Sequence, residues 1–96
     1  MKSVNVVKFV VRPGEEDTFL DAHRHGKAKW PGLERGFIIR TGERSYCLVG
    51  LWSDADALAA ARPDMIRTLG AFRASLEEQP GRGLTDAASG PIVLEL

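Results

Sequence analysis

The 96-residue sequence contains one cysteine, Cys47, and two histidines, His23 and His25. A single cysteine excludes an intramolecular disulfide, and these three side chains are too few for the four-ligand Cys/His site of structural zinc. No apolar run approaches the ~20 residues that a helix needs to cross a bilayer. The sequence therefore predicts a chain without a disulfide, a metal site or a membrane span.

An excess of charge of one sign is also missing, since thirteen Lys and Arg residues balance thirteen Asp and Glu residues. A chain without an excess of basic residues lacks a general affinity for nucleic acids and anionic membranes. The first residues, MKSVNVVKFVV, begin with a basic residue but have no small-residue cleavage site of a secretory signal. We therefore expect one cytoplasmic domain over residues 1–96, with neither nucleic acid nor membrane as a partner.

Short apolar segments with the residue pattern of β-strands are what the sequence does have. Three of them are rich in β-branched and aromatic residues and cover residues 4–11, 33–40 and 45–52. The glycine-containing break at 41–44 predicts that the second and third strands form a hairpin. The Gly- and Pro-rich stretch 80–91 is predicted to be a loop, and the last five residues, IVLEL, a short final strand.

Two further segments have the pattern of helices. The first, at about 15–29, ends before Pro31, because proline keeps its predecessor out of the α region. The second is predicted to start with Ser53 as its N-cap and to end before Gln79. Pro63 is expected to kink or restart this helix, since proline fits best in a first turn.

The order strand, helix, strand, strand, helix, strand is that of a ferredoxin-like βαββαβ domain, an α+β fold with two helices on one face of an antiparallel sheet. The other face would remain uncovered. The first strand is apolar on both faces, with Val4, Val6 and Val10 on one side and Val7, Phe9 and Val11 on the other. Because an uncovered apolar face is unfavourable in water, we expect a homodimer that pairs through its sheet faces.

Three motifs in this order resemble the antibiotic biosynthesis monooxygenase-like group of dimeric α+β barrels. They are PGEEDTF at the start of the first helix, WPGLERGFIIR after it, and YCLVGLWSDADAL at the end of the third strand. The resemblance covers about residues 4–62 by motif and the whole chain by element order. It implies a dimeric α+β barrel, in a group that includes cofactor-free oxygenases of aromatic polyketides, haem-degrading enzymes, quinol oxygenases and members without an assigned activity.

The resemblance also bears on cofactors. Haem-degrading members carry an axial histidine on the second helix, and the corresponding stretch here, AAARPDMIRT, contains none. We therefore expect no haem and no other cofactor. Related oxygenases often have a pocket asparagine on the first strand, which makes Asn5 a candidate catalytic residue together with His23. Asn5 also interrupts the apolar face of Val7, Phe9 and Val11, where either a ligand or a backbone bond at the sheet edge must satisfy its amide.

His23 is the residue best suited to act as a catalytic base. It shares a helix face with Phe19 and Trp30, so its imidazole is expected to point towards the sheet. In cofactor-free oxygenation a base must convert the substrate to an electron-rich phenolate or enolate before an electron passes to dioxygen, and a histidine is suited to that task. The alternative is a histidine that is hydrogen-bonded in the core or at the dimer interface.

Four further residues are candidates for binding a substrate. Aromatic rings of a substrate pack well against other rings, and an arginine beside the apolar stripe of the second helix can reach a pocket. The four candidates are Trp30, Tyr46, Trp52 and Arg73. The alternative is that the aromatic residues fill the core and that the arginine head lies in water.

Two functions follow from these residues. The first is a cofactor-independent monooxygenase for a small aromatic or quinol-like molecule in a pocket between helices and sheet. The second is a non-catalytic dimeric α+β barrel, of unknown or stress-related role, that binds a small hydrophobic ligand. A cavity lined by His23 and at least two of the candidate aromatics favours the first, whereas filling of that space by Trp30, Phe72 and Met65 favours the second.

Overall fold

The computed structural model describes residues 1–24 and 30–96. In chain order the elements are β1 (Ser3–Val11), α1 (Glu16–Asp21), β2 (Leu33–Arg40), β3 (Ser45–Trp52), α2 (Ala55–Phe72), a 3₁₀ turn (Arg73–Ser75), β4 (Leu76–Glu77) and β5 (Asp86–Pro91). All strand pairs are antiparallel. The predicted fold class, ferredoxin-like α+β with two helices, is confirmed, with five strands in the described part of the chain instead of four.

β1 is the central strand of the sheet. On one side it pairs with β3 along nearly its whole length, and β3 pairs in turn with β2 as the predicted hairpin. On the other side of β1 lie β5, which pairs with the first half of the strand, and β4, which pairs with its end. β1 therefore has a hydrogen-bonded strand along each of its edges, and its apolar side chains alternate between the two faces of the sheet.

The prediction for the last strand is wrong. β5 occupies Asp86–Pro91, inside the segment 80–91 that was predicted to be a loop, and residues 92–96 form no strand. The sequence DAASGP has low β-propensity. It nevertheless forms an edge strand, because its backbone pairs with Ser3–Lys8 of β1. Beyond it, Val93, Leu94 and Leu96 are exposed.

The helix boundaries also differ from the prediction. α1 ends at Asp21, and residues 22–24 form a turn. The rest of the predicted helix, 25–29, lies outside the described residues. The N-cap of α2 is Asp54, whose carboxylate accepts the backbone N–H of Ala57 at 2.7 Å. Ser53 is not the cap, because the helix begins at Ala55 and Ser53 lies one residue before the cap, where its backbone N–H donates to the Gly32 carbonyl.

α2 is one helix through Pro63 and ends at Phe72, before the predicted end near residue 78. The early end has a tertiary cause. The backbone N–H of Arg12, just after β1, donates to the carbonyl of Ser75 at 2.8 Å, and this bond draws the chain out of the helix and onto the edge of the sheet. Tertiary contacts thus outweigh the helical propensity of the segment.

The core lies between the helices and one face of the sheet. A first cluster consists of Phe9, Val11, Phe19, Tyr46, Phe72 and Leu76. A second cluster, nearer the start of α2, consists of Trp30, Trp52, Leu58 and Ala61. In both clusters the strand residues come from the same face of the sheet, so both described helices pack on that face.

The opposite face of the sheet carries a different apolar set, and neither described helix packs on it. Its members are Val4, Val6, Val10, Phe37, Ile39, Cys47, Val49 and Leu51. Phe37 and Ile39 are 45% and 48% exposed, although Cys47 itself is buried. We call this set the open sheet face.

The helices of residues 1–24 and 30–96 include none with the length and hydropathy that crossing a membrane requires.

Candidate functional site

A cavity of about 370 Å³ lies between α2 and the sheet and is partly open to solvent. Strands β1, β3 and β5 line it from the sheet side, α2 lines it from the helix side, and His23 and Trp30 complete the lining. Its walls are mainly apolar, through Val7, Phe9, Leu48, Leu58, Met65, Leu69 and Phe72. This volume lies in the ~300–1,000 Å³ range of small-molecule sites, so Phe72 and Met65 line the space without filling it.

His23 lies in the turn after α1, with its ring among three phenylalanines. The ring centroids are 4.6 Å from Phe72, 5.0 Å from Phe19 and 6.1 Å from Phe9. The Nδ1 atom is 2.9 Å from the backbone carbonyl oxygen of Phe19. The aromatic contacts and this hydrogen bond fix the orientation of the imidazole at the cavity.

The hydrogen bond also fixes the tautomer. A carbonyl oxygen only accepts, so Nδ1–H donates to it and the neutral ring keeps an unprotonated Nε2. Burial lowers the pKa of His23 below its ordinary value of 6.5, and the bond to Phe19 opposes this only in part. At neutral pH the cavity therefore contains an uncharged imidazole whose Nε2 lone pair can accept a proton.

Asn5 is buried on β1 and lines the same cavity. The indole Nε1–H of Trp52 donates to its Oδ1 at 2.7 Å, a buried bond between neighbouring strands. Because an indole N–H only donates, this contact identifies the amide oxygen and leaves the Nδ2 group as the free end of the side chain. Nδ2 has no hydrogen-bond partner among the described residues, so it is a donor that a ligand can use.

Gly50 makes this arrangement possible. It lies directly opposite Asn5 on β3. A Cβ at this position would overlap Oδ1 of Asn5 and would lie 2.9 Å from Nε1 of Trp52. The sequence reasoning missed Gly50, although a glycine inside a strand often marks such a close approach.

We expect Gly50→Ala to break the hydrogen bond between Asn5 and Trp52 and to lower the free energy of unfolding by about 1–3 kcal/mol, as overpacking of a core does. Gly36→Ala is the matched control, because Gly36 faces Gly50 on β2 and the added Cβ would meet only Leu33, at 3.6 Å. Urea unfolding of both variants measures the difference. Equal stabilities for the two variants would contradict this role of Gly50.

Trp30 has a second unpaired donor at the cavity. Its side chain is 5% exposed, and its ring centroid lies 6.4 Å from that of Trp52. The buried Nε1–H has no hydrogen-bond partner within residues 1–24 and 30–96. A buried indole N–H normally finds an acceptor, and a ligand oxygen in the cavity can supply one.

The other predicted binding residues do not line the cavity. Tyr46 packs in the first core cluster, 5.2 Å from the ring of Phe19, because it lies at the β4 end of the sheet, beyond the cavity. Trp52 lies behind Asn5 and acts on the site through the hydrogen bond just described. Arg73 is exposed, since α2 ends at Phe72 and the following turn leaves the helix periodicity. The structure therefore brings together Asn5, His23 and Trp30 of the six candidates. One of the three candidate aromatics lines the cavity, so the predicted lining of His23 with at least two of them is not found.

One cavity residue that was not among the predicted site residues is Arg62 of α2. Its Nη2 donates to the Ser89 hydroxyl of β5 at 3.0 Å, across the open side of the cavity. This contact could not be predicted from the sequence, because Ser89 lies in β5, within the segment that was predicted to be a loop.

The described residues of the site offer no set of metal ligands. Among the described residues, no three His, Cys, Asp or Glu side chains lie close enough together to hold a metal ion. The polar groups at the cavity are an imidazole, an amide, an indole, a guanidinium and hydroxyls.

No protein-family model and no curated protein sequence matches the chain. Solved structures do match over nearly its full length. A variant of SnoaB, a cofactor-independent oxygenase from Streptomyces nogalater, is 22% identical, with 99% of this chain and 96% of that chain covered and a TM-score of 0.72.

Two other matched structures are named for antibiotic biosynthesis monooxygenases. The Caulobacter crescentus protein is 22% identical, with 97% of this chain and 91% of that chain covered and a TM-score of 0.73. The Nitrosomonas europaea protein is 15% identical, with 96% and 90% covered and a TM-score of 0.77. At these identities the likeness establishes a shared fold, the α+β fold of antibiotic biosynthesis monooxygenase-like proteins.

Proposed function

We propose that the chain is a cofactor-independent monooxygenase that acts on a small aromatic or quinol-like molecule in the cavity between α2 and the sheet. The observation that carries the proposal is the neutral imidazole of His23, with its Nδ1–H committed to the Phe19 carbonyl and the ring at an apolar cavity. The presence of a cofactor-independent oxygenase among the proteins of this fold supports it.

In the first step Nε2 of His23 removes a proton from a phenolic hydroxyl or from an acidic C–H beside a carbonyl. The product is a phenolate or enolate, whose electron density is high enough for transfer of one electron to dioxygen. Histidine becomes an imidazolium, which the Phe19 carbonyl stabilises through the Nδ1–H. A lowered pKa keeps His23 in the form that starts this step at neutral pH.

The remaining steps need only dioxygen. Electron transfer gives a substrate radical and superoxide, which combine to form a C–O bond and a peroxide. The peroxide takes the proton back from the imidazolium and loses water, so that the attacked carbon becomes C=O and one oxygen atom enters the product. This carbon is a CH₂ group in an enolisable substrate and the ring C–H opposite the hydroxyl in a phenol. Four electrons leave the substrate, and dioxygen is reduced to the carbonyl oxygen and water.

Asn5 and Trp30 have the complementary role in this proposal. Deprotonation leaves negative charge on a substrate oxygen, and fixed hydrogen-bond donors stabilise such charge without reorganising. The Nδ2 group of Asn5, oriented by the indole of Trp52, and the Nε1–H of Trp30 are two cavity donors without a partner among the described residues. Binding of an oxyanion would satisfy both groups.

Oxygen uptake tests the function against its alternative. The wild-type protein is mixed with hydroquinones and anthrones, in air and with a chelator present, and oxygen consumption is followed beside calorimetric measurement of binding. Consumption above the rate without protein supports the monooxygenase. Binding without oxygen consumption would replace it with the non-catalytic protein that binds a small hydrophobic ligand.

We propose in addition that two copies of the chain pair through the open sheet face. Phe37 and Ile39 are about half exposed there, beside the partly buried Val6 and Val49. A contiguous exposed apolar surface of this kind is rare in a monomer and common at an interface. Sheet pairing would cover it and leave the cavity, on the other face, accessible.

Sedimentation at micromolar concentration tests this pairing. We expect the mass of two 10.5 kDa chains for the wild type and a single chain for Phe37→Glu, which places a charge in the open sheet face. Ile66→Glu is the matched control, since Ile66 is 68% exposed on α2, away from that face. A wild-type monomer, or a dimer that Phe37→Glu leaves intact, would contradict the pairing.

A further inference from the structure

The described residues that line the cavity carry one permanent charge. Of the described residues that line it, Arg62 is the one whose side chain is ionised at neutral pH, since His23 is neutral and no Asp or Glu is present. An apolar cavity with a single cation at its opening attracts anionic ligands and keeps cationic ones out. The charge of Arg62 is therefore a selectivity element for whatever enters the site.

The fold does not use this charge. The ion pairs of the described chain engage other cations, among them the neighbouring Arg67, which pairs with Asp64 on the outer surface of α2. All thirteen carboxylates of the chain lie in the described ranges. Arg62 itself contacts the neutral hydroxyl of Ser89, so its guanidinium is positioned but not neutralised.

The contact with Ser89 places the charge near the proposed chemistry. Ser89 of β5 lies directly opposite Asn5 of β1 in the sheet. Opposed residues on neighbouring antiparallel strands have Cα atoms about 4.5–5.5 Å apart. The guanidinium is therefore held one strand away from Asn5, on the same side of the sheet, so that one small ligand can reach both groups.

We propose that Arg62 recognises a carboxylate of the ligand and that the site takes aromatic acids, with the ring in the apolar cavity and the carboxylate at its opening. The planar guanidinium suits this role, because it can donate two parallel hydrogen bonds to a carboxylate while it lies beside an apolar wall. This inference names the substrate class of the proposed monooxygenase and rests on the same cavity. It concerns binding alone, so it can be tested without turnover.

Calorimetric titration under nitrogen, with 6-hydroxy-2-naphthoate and 2-naphthol as a pair, is the test. We expect the wild type to bind the acid about 10-fold to 100-fold more tightly than the neutral naphthol, as one charged hydrogen-bonded contact allows. Arg62→Gln should remove this preference, so that the variant binds the two ligands with about equal affinity. Arg62→Lys should retain part of it, and added salt should reduce it.

Arg67→Gln is the matched control, further along α2 and outside the cavity, and it should keep the full preference. Equal wild-type affinity for the two ligands, binding of neither, or an acid preference that survives Arg62→Gln would overturn the inference. Failure of the monooxygenase proposal has a different signature, since oxygen uptake would then be absent while the anaerobic preference for the acid persists.

Discussion

His23→Gln should consume oxygen about 10²–10⁴-fold more slowly than the wild type with the same aromatic substrate, the range expected for loss of a general base. His23→Phe should lose as much activity while keeping the ring contacts with Phe9, Phe19 and Phe72. The two variants together separate the missing base from altered packing. The initial rate of oxygen uptake is the measurement, with circular dichroism to confirm folding.

The neighbouring Arg24→Gln is the control, because Arg24 is exposed and pairs with Asp21 on the surface. It should keep the wild-type rate. Activity in both His23 variants equal to that of Arg24→Gln would rule out His23 as the base. The wild-type protein would then oxidise its substrate by another route.

The pH profile gives an independent check on His23. Burial lowers the pKa of His23 below 6.5, so less than half of the base is protonated at pH 6.5, where an exposed histidine is half protonated. We therefore expect the wild-type rate at pH 6.5 to exceed half of its maximum and to reach half only in more acidic solution. A half-maximal rate above pH 6.5 would contradict this environment of His23.

The second large effect is expected for Asn5→Ala. Loss of one fixed donor to an oxyanion costs about 10²–10³ in rate in comparable sites, and we expect kcat to fall by this amount with little change in KM. Asn5 also holds the indole of Trp52, so the variant must be compared at matched folded fraction. The kinetic constants for oxygen uptake provide the measurement.

Trp52→Phe distinguishes the two tasks of Asn5. It removes the indole donor but leaves the amide in place, so the Asn5 side chain can rotate and only part of the rate should be lost. We expect its activity to lie between those of the wild type and Asn5→Ala. A Trp52→Phe variant that is as inactive as Asn5→Ala would assign the effect to packing around Trp52 and not to the amide donor.

The part of the fold that sequence could predict is the part with a strong residue pattern. β1, the hairpin of β2 and β3, and the order of the helices follow from β-branched runs, Pro-Gly breaks and helical periodicity. β5 could not be found in this way, because Ala87, Ala88 and Ser89 have no strand signal and are held by the backbone of β1. The early end of α2 depends likewise on a bond between distant segments, from Arg12 to Ser75.

The same division applies to the site. Asn5 and His23 are recognisable because each is a polar residue on an otherwise apolar face, and their placement at one cavity follows from the fold. Arg62 and Gly50 are not recognisable, since their roles come from Ser89 and from the pair Asn5–Trp52, which lie far away in sequence. Tyr46 shows the reverse case, an aromatic residue with a promising pattern that lies in the core.

The proposed chemistry inserts one atom of dioxygen into an organic molecule through the base His23, without a cofactor. Incubation of the chelator-treated protein with an anthrone under ¹⁸O₂, followed by mass spectrometry of the product, tests it most directly. We predict one ¹⁸O atom in the quinone formed by the wild type. The His23→Phe variant should form labelled quinone far more slowly, at a rate close to that in buffer alone. A product without ¹⁸O, or equal labelled product from both proteins, would contradict it.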